Sequence, residues 1–181
     1  SYGNRYYKKP VIVGELRRER PISVAWFRFA QDRTKRPVKG MITGPYTMMD
    51  WSFDEHYGSR AETALAFARI LHDEARDLEA AGATIIQVDE PALATRSDEL
   101  PLLVKAVGIV TKGLKAKTVL HTCYGNYADI FDYFNRLPVD QLDLEMSFPT
   151  QEGLFALMER LFATIWRDAL EVKIETPFPR L

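Results

Sequence analysis

Two spacings of apolar residues alternate along the chain. From Ala61 to Ala81 they recur at Ala64, Phe67, Ala68, Leu71, Ala75 and Leu78, the three-and-four rhythm of an amphipathic helix, and Gly82 is placed to end it. Thr84-Ile85-Ile86-Gln87-Val88 follows as a nearly continuous apolar run, the mark of a strand covered on both faces, and Asp89-Glu90-Pro91 closes it. The cycle repeats with a helix from about Leu100 to Gly113, a strand Thr118 to Leu120 running into His121-Thr122-Cys123, a helix near Tyr127 to Arg136, and a strand Gln141 to Leu144 ending at Glu145. Upstream, Pro10 to Gly14 reads as a strand, Pro21 opens a helix through Ala30, and Pro37 to Pro45 is a second strand ending in a Gly-Pro break. Tyr46 to Arg60 reads as a long aromatic and polar connection. Beyond Phe148 a helical pattern over Leu154 to Arg167 is followed by Lys173 to Pro179, which does not continue the series.

Strands alternating with helices of this length predict a parallel sheet with right-handed crossovers. The fold class expected is α/β, a (β/α)8 TIM barrel of which about half is present, since four or five strands are found rather than eight; a smaller doubly wound sheet fits the same count. No shift in composition divides the 181 residues, so one partial barrel domain is expected across 1–181. A half barrel would expose strand edges and apolar helix faces, which predicts poor solubility or self-association in isolation. In such barrels chemistry gathers at the C-terminal ends of the strands, where Asp89, His121, Cys123 and Glu145 all fall.

Charge narrows the range of partners. A formal net charge of -1 supplies no basic field for nucleic acid or anionic lipid. No apolar run approaches the roughly 20 residues of a membrane span. The single cysteine, Cys123, excludes an internal disulfide, so a reducing, cytoplasmic setting is expected. The first residues lack an initiator methionine and the apolar core of a signal peptide, so the start reads as a cut.

Within His121-Thr122-Cys123, side chains two apart share one face of an extended backbone, and imidazole and thiolate both suit zinc. Taken alone the pair reads as a core histidine and a buried free thiol. Glu145, ending the next strand after the alternating Leu142-Asp143-Leu144, offers a third ligand or is a solvated strand-end carboxylate. Asp89-Glu90 supplies paired carboxylates for acid-base work or for gripping an ammonium group, or else caps a helix. Trp51, in Trp51-Ser52-Phe53, offers a stacking surface for a planar heterocycle or a lid on the rim. Arg5, among Tyr2, Tyr6 and Tyr7, could meet an anionic ligand or stand exposed.

Taken together, Ser1-Tyr2-Gly3-Asn4-Arg5, Pro37-Val38-Lys39-Gly40-Met41-Ile42-Thr43-Gly44-Pro45, Trp51-Ser52-Phe53, Ile86-Gln87-Val88-Asp89-Glu90-Pro91-Ala92-Leu93, His121-Thr122-Cys123-Tyr124 and Glu145 resemble, in order and spacing over 1–147, the catalytic barrel of the cobalamin-independent methionine synthase family. The resemblance implies methyl transfer from 5-methyltetrahydrofolate, as its polyglutamate, to the thiol of homocysteine. It implies zinc held by His121, Cys123 and Glu145, the homocysteine amino group held by Asp89, and folate contacts from Trp51 and Arg5. The chain departs from the family pattern in having no second cysteine as fourth ligand and no histidine after His121 as proton donor. The family's first barrel strand would precede Ser1, and Thr95 stands where the family has a folate-contacting carboxylate. Two further functions therefore accompany the first: zinc-dependent alkyl transfer to another thiol or from another donor, and an inactive fragment of such an enzyme.

Overall fold

The structure is a computed structural model that describes residues 7–123, 127 and 130–144. Four strands, β2 (Gly40–Thr43), β4 (Ile85–Asp89), β5 (Lys117–Thr122) and β6 (Gln141–Leu144), form one parallel sheet in the order β2-β4-β5-β6. Each neighbour in that sheet is also the next of these strands in the chain, the arrangement of a barrel wall rather than of a sheet that winds in both directions.

The crossovers are helical. Between β2 and β4 run α2 (Pro45–Asp50) and α3 (Arg60–Ala80); α4 (Leu100–Thr111) joins β4 to β5, and the short α5 (Phe131–Phe134) precedes β6. The periodicity places α3 within a residue at either end. Its N-cap, Ser59, accepts from the Glu62 amide, and Gly82, at a φ of 102°, turns the chain into β4 through a conformation that favours glycine. One layer of the core lies between helices and strands: Leu71, Ala75 and Leu78 of α3 pack with Ile42, Ile86 and Val88 of the sheet and with Val110 of α4.

Three expectations change. Tyr46 to Arg60 is not an open connection, because Pro45–Asp50 is helix α2 and Phe53–Asp54 is a strand, β3. The reason is long range: the first amides of α2 are satisfied by a carboxylate more than forty residues away. Pro10 to Gly14 contributes only β1 (Val11–Ile12), which pairs with β3 in a separate two-stranded parallel sheet. The first helix, α1, spans Val24–Gln31 and not Pro21 to Ala30. Its start is held by Glu74 of α3, which is wholly buried and accepts from the amides of Ile22 and Ser23, the Ser23 hydroxyl and Arg18. The helical pattern over Leu154 to Arg167 lies outside the described residues.

Candidate functional site

Register decides which side chains meet. Across the sheet Thr43 pairs with Asp89, Asp89 with His121, and His121 with Asp143. These four residues form one row at the C-terminal ends of the strands, on the face turned away from the helices. One row below, Met41, Gln87, Val119 and Gln141 share that face. The opposite face carries Ile42, Val88 and Leu120, all buried. Cys123 is half-buried just past the end of β5, two residues on from His121.

The row is charged and partly shut from water. Burial raises the Asp89 carboxyl above its ordinary range; the Gln87 hydrogen bond and the nearby His121 and Lys39 oppose the rise, while Asp143 adds to it. His121 Nδ1 lies 3.5 Å from Asp143 Oδ2 without the alignment of a hydrogen bond. The nitrogen is buried and has no hydrogen-bond partner among the described residues, and neither has Thr122 Oγ1.

Asp89 and Glu90 do not act as a pair. Alternation along β4 turns Asp89 into the polar row and sends Glu90 to the helix side, where it is wholly buried. There Glu90 Oε1 accepts from the Tyr46 amide at 3.0 Å, and Oε2 accepts from the Thr47 amide at 2.8 Å and its hydroxyl at 2.6 Å. The capping alternative thus applies to Glu90, but the helix it caps is α2, not the turn that follows it. Burial pushes its pKa up to about 7 against the pull of those three donors. The folded carboxyl therefore keeps its proton to higher pH than an unfolded one at 4.5. The stability tied to that proton is full below the unfolded value and is lost as pH rises through about 7. Thermal melts should show the advantage of the native chain over Glu90→Gln shrinking between roughly pH 5 and 8; a pH-independent difference would contradict this assignment.

Trp51 stands at the C-cap of α2, half-buried, with its ring centroid 5.3 Å from that of Tyr7 and the planes tilted by 32°. Arg5 and Glu145 lie outside the described residues, as does the side chain of Thr95. Among the described residues no cluster of three or more His, Cys, Asp or Glu side chains could hold a metal ion. Two residues of the polar face, Lys39 and Gln87, stand in the sequence only inside longer motifs, with no chemistry of their own to mark them. Gln87 sits inside an apolar strand, and only the alternation of that strand would single it out. Among the described residues no helix is long and apolar enough to cross a membrane.

The family described as "Cobalamin-independent synthase, Catalytic domain" matches residues 1–165. A methionine synthase of Thermococcus kodakarensis is 43% identical over 145 residues, covering 80% of this chain and 43% of that protein. A 5-methyltetrahydropteroyltriglutamate–homocysteine methyltransferase of Streptomyces avermitilis is 43% identical over 155 residues, covering 80% of this chain and 20% of that protein. Among solved structures, a B12-independent methionine synthase from Shewanella sp. W3-18-1, in complex with selenomethionine, superposes with a TM-score of 0.69 at 33% identity. That match covers 73% of this chain and 44% of the other, so the four-stranded wall is part of a (β/α) barrel. The chain spans half or less of the length of these proteins.

Proposed function

The chain belongs to the cobalamin-independent synthase catalytic-domain family, and from that membership we propose that it carries the part of the barrel that transfers a methyl group from 5-methyltetrahydropteroylpolyglutamate to the thiol of homocysteine. The observation that carries this reading is the row at the strand ends. It puts a carboxylate, Asp89, next to an imidazole, His121, whose buried Nδ1 lacks a hydrogen-bond partner among the described residues.

A buried imidazole nitrogen to which no described residue hydrogen-bonds is open to an electrophile, so His121 suits a metal ion. We assign zinc to His121 and Cys123, a nitrogen and a sulfur donor of the kind zinc takes, with Glu145, the residue after the end of β6, as third ligand. Zinc held there would lower the pKa of the substrate thiol, so that sulfur is present as the thiolate at neutral pH.

The remaining work falls to the chain's own side chains. Asp89, an acceptor beside the metal-binding pair, holds the homocysteine ammonium and so fixes the direction from which the sulfur is presented. Trp51, with Tyr7 tilted against it, offers the aromatic surface on which a planar pterin would rest, and Arg5 pairs with the folate carboxylates.

The experiment is methionine formation by the zinc-loaded chain from L-homocysteine and 5-methyltetrahydropteroyltriglutamate. Zinc-dependent methionine formation is the expected result. Turnover with a different methyl donor alone would move the reading to a related alkyl transfer, and no turnover with any donor would leave an inactive fragment.

A further inference from the structure

The polar side chains beneath the row are linked in a defined order. Lys39 Nζ donates to Gln87 Oε1 at 2.7 Å, and Gln87 Nε2 donates to Asp89 Oδ1 at 2.8 Å. Lys39 precedes β2, while Gln87 and Asp89 lie two apart on the same face of β4. Lys39 Nζ also lies 3.9 Å from Asp143 Oδ2, the carboxylate beside His121, so its charge serves both acidic members of the row.

Chemistry fixes the direction of this chain. An ammonium has only donors and a carboxylate anion only acceptors, so an amide between them satisfies both in one orientation alone, oxygen toward Lys39 and nitrogen toward Asp89. Gln87 is 5% exposed, and water cannot readily replace either bond. Without Lys39 nothing would stop the amide from turning its oxygen toward Asp89, where two acceptors would repel. With Lys39 in place, Oδ1 of Asp89 is engaged, and the carboxylate presents Oδ2, to which no described residue donates.

We infer that Lys39 and Gln87 are positioning residues that set the selectivity for an α-amino thiol, by holding Asp89 at one rotation with Oδ2 directed at the substrate ammonium. The inference rests on the reading of Asp89 as the ammonium-holding residue. It predicts that the two side chains matter for the amine of the ligand and not for its sulfur.

Calorimetric titration of the zinc-loaded chain with L-homocysteine and with 4-sulfanylbutanoate, the same thiol acid without the amine, separates these contributions. Gln87→Leu removes both bonds at similar volume, and Lys39→Met removes the donor from a side chain that is 44% exposed and so tolerant of change. Each variant should bind L-homocysteine about tenfold more weakly, as expected for one charge-assisted hydrogen bond, with the affinity for 4-sulfanylbutanoate unchanged. Should Gln87→Leu fail to fold, Lys39→Met decides alone. Equal weakening of both ligands would make the pair merely structural and overturn the inference. Native affinity for homocysteine in the foldable variants, with Asp89→Asn weakened, would overturn it while sparing the role of Asp89. If Asp89→Asn binds like the native chain, or the native chain does not bind homocysteine, the underlying reading falls and takes the inference with it.

Discussion

Replacing Cys123 by serine is expected to lower the affinity for zinc by a hundredfold or more, roughly the scale on which structural and catalytic zinc sites depend on each thiolate. A serine hydroxyl is not ionised at neutral pH and is a poor match for zinc, whereas a thiol gives up its proton on coordination. Elemental analysis after purification without chelators or a metal-affinity tag should find about one zinc per native chain and almost none in the variant. The melting temperature should respond in parallel. A ligand at 100 times its dissociation constant adds about 2.7 kcal/mol to stability, so zinc should raise the melting point of the native chain and leave that of the variant in place. Equal zinc in both proteins would remove Cys123 from the site, and none in either would remove the metal from the proposed function.

The second large effect concerns the fold beneath the site. Gly44 has an extended backbone, φ −73° and ψ 157°, that any residue adopts, so no conformational preference demands glycine there. The demand comes from packing: a Cβ at this position would overlap the Glu90 carboxyl, which lies against the chain to reach the amides of Tyr46 and Thr47. Gly44→Ala should therefore cost about 3 kcal/mol or more, either by displacing the carboxylate from its donors or by pushing α2 off the sheet. Urea denaturation measures this directly. The double variant Gly44→Ala with Glu90→Ala should be more stable than the sum of the single losses, because each change removes part of what makes the other harmful. Simple additivity would show that the two residues do not interact.

What the sequence discloses depends on how local the cause is. Helices α3 and α4 and strands β4, β5 and β6 follow from apolar periodicity within their own residues, and so they were legible, with α3 right to within a residue at either end. Helix α2 was not, since it is only six residues long and the buried amides of its first turn are satisfied through the distant Glu90. The start of α1 depends in the same way on Glu74. The pairing of β1 with β3 links a segment read as strand to one read as loop, and two residues carry too little pattern to reveal it. In the site, the placement of Asp89 and His121 in one row was legible from strand ends alone. The chain from Lys39 through Gln87 was not, because it joins two strands and depends on register, which periodicity does not specify.

The opposite facing of Asp89 and Glu90 makes β4 intolerant of slippage. Moving this strand by one residue against its neighbours would exchange the two carboxylates, sending one that belongs in the polar row into the helix layer and withdrawing the cap from α2 in the same step. Single-residue insertions and deletions in β4 therefore have no mild outcome: the site and the helix that buttresses it would be lost together. Sequence change in this strand is confined to substitution, and length variation among related chains should be found in the loops on either side of it.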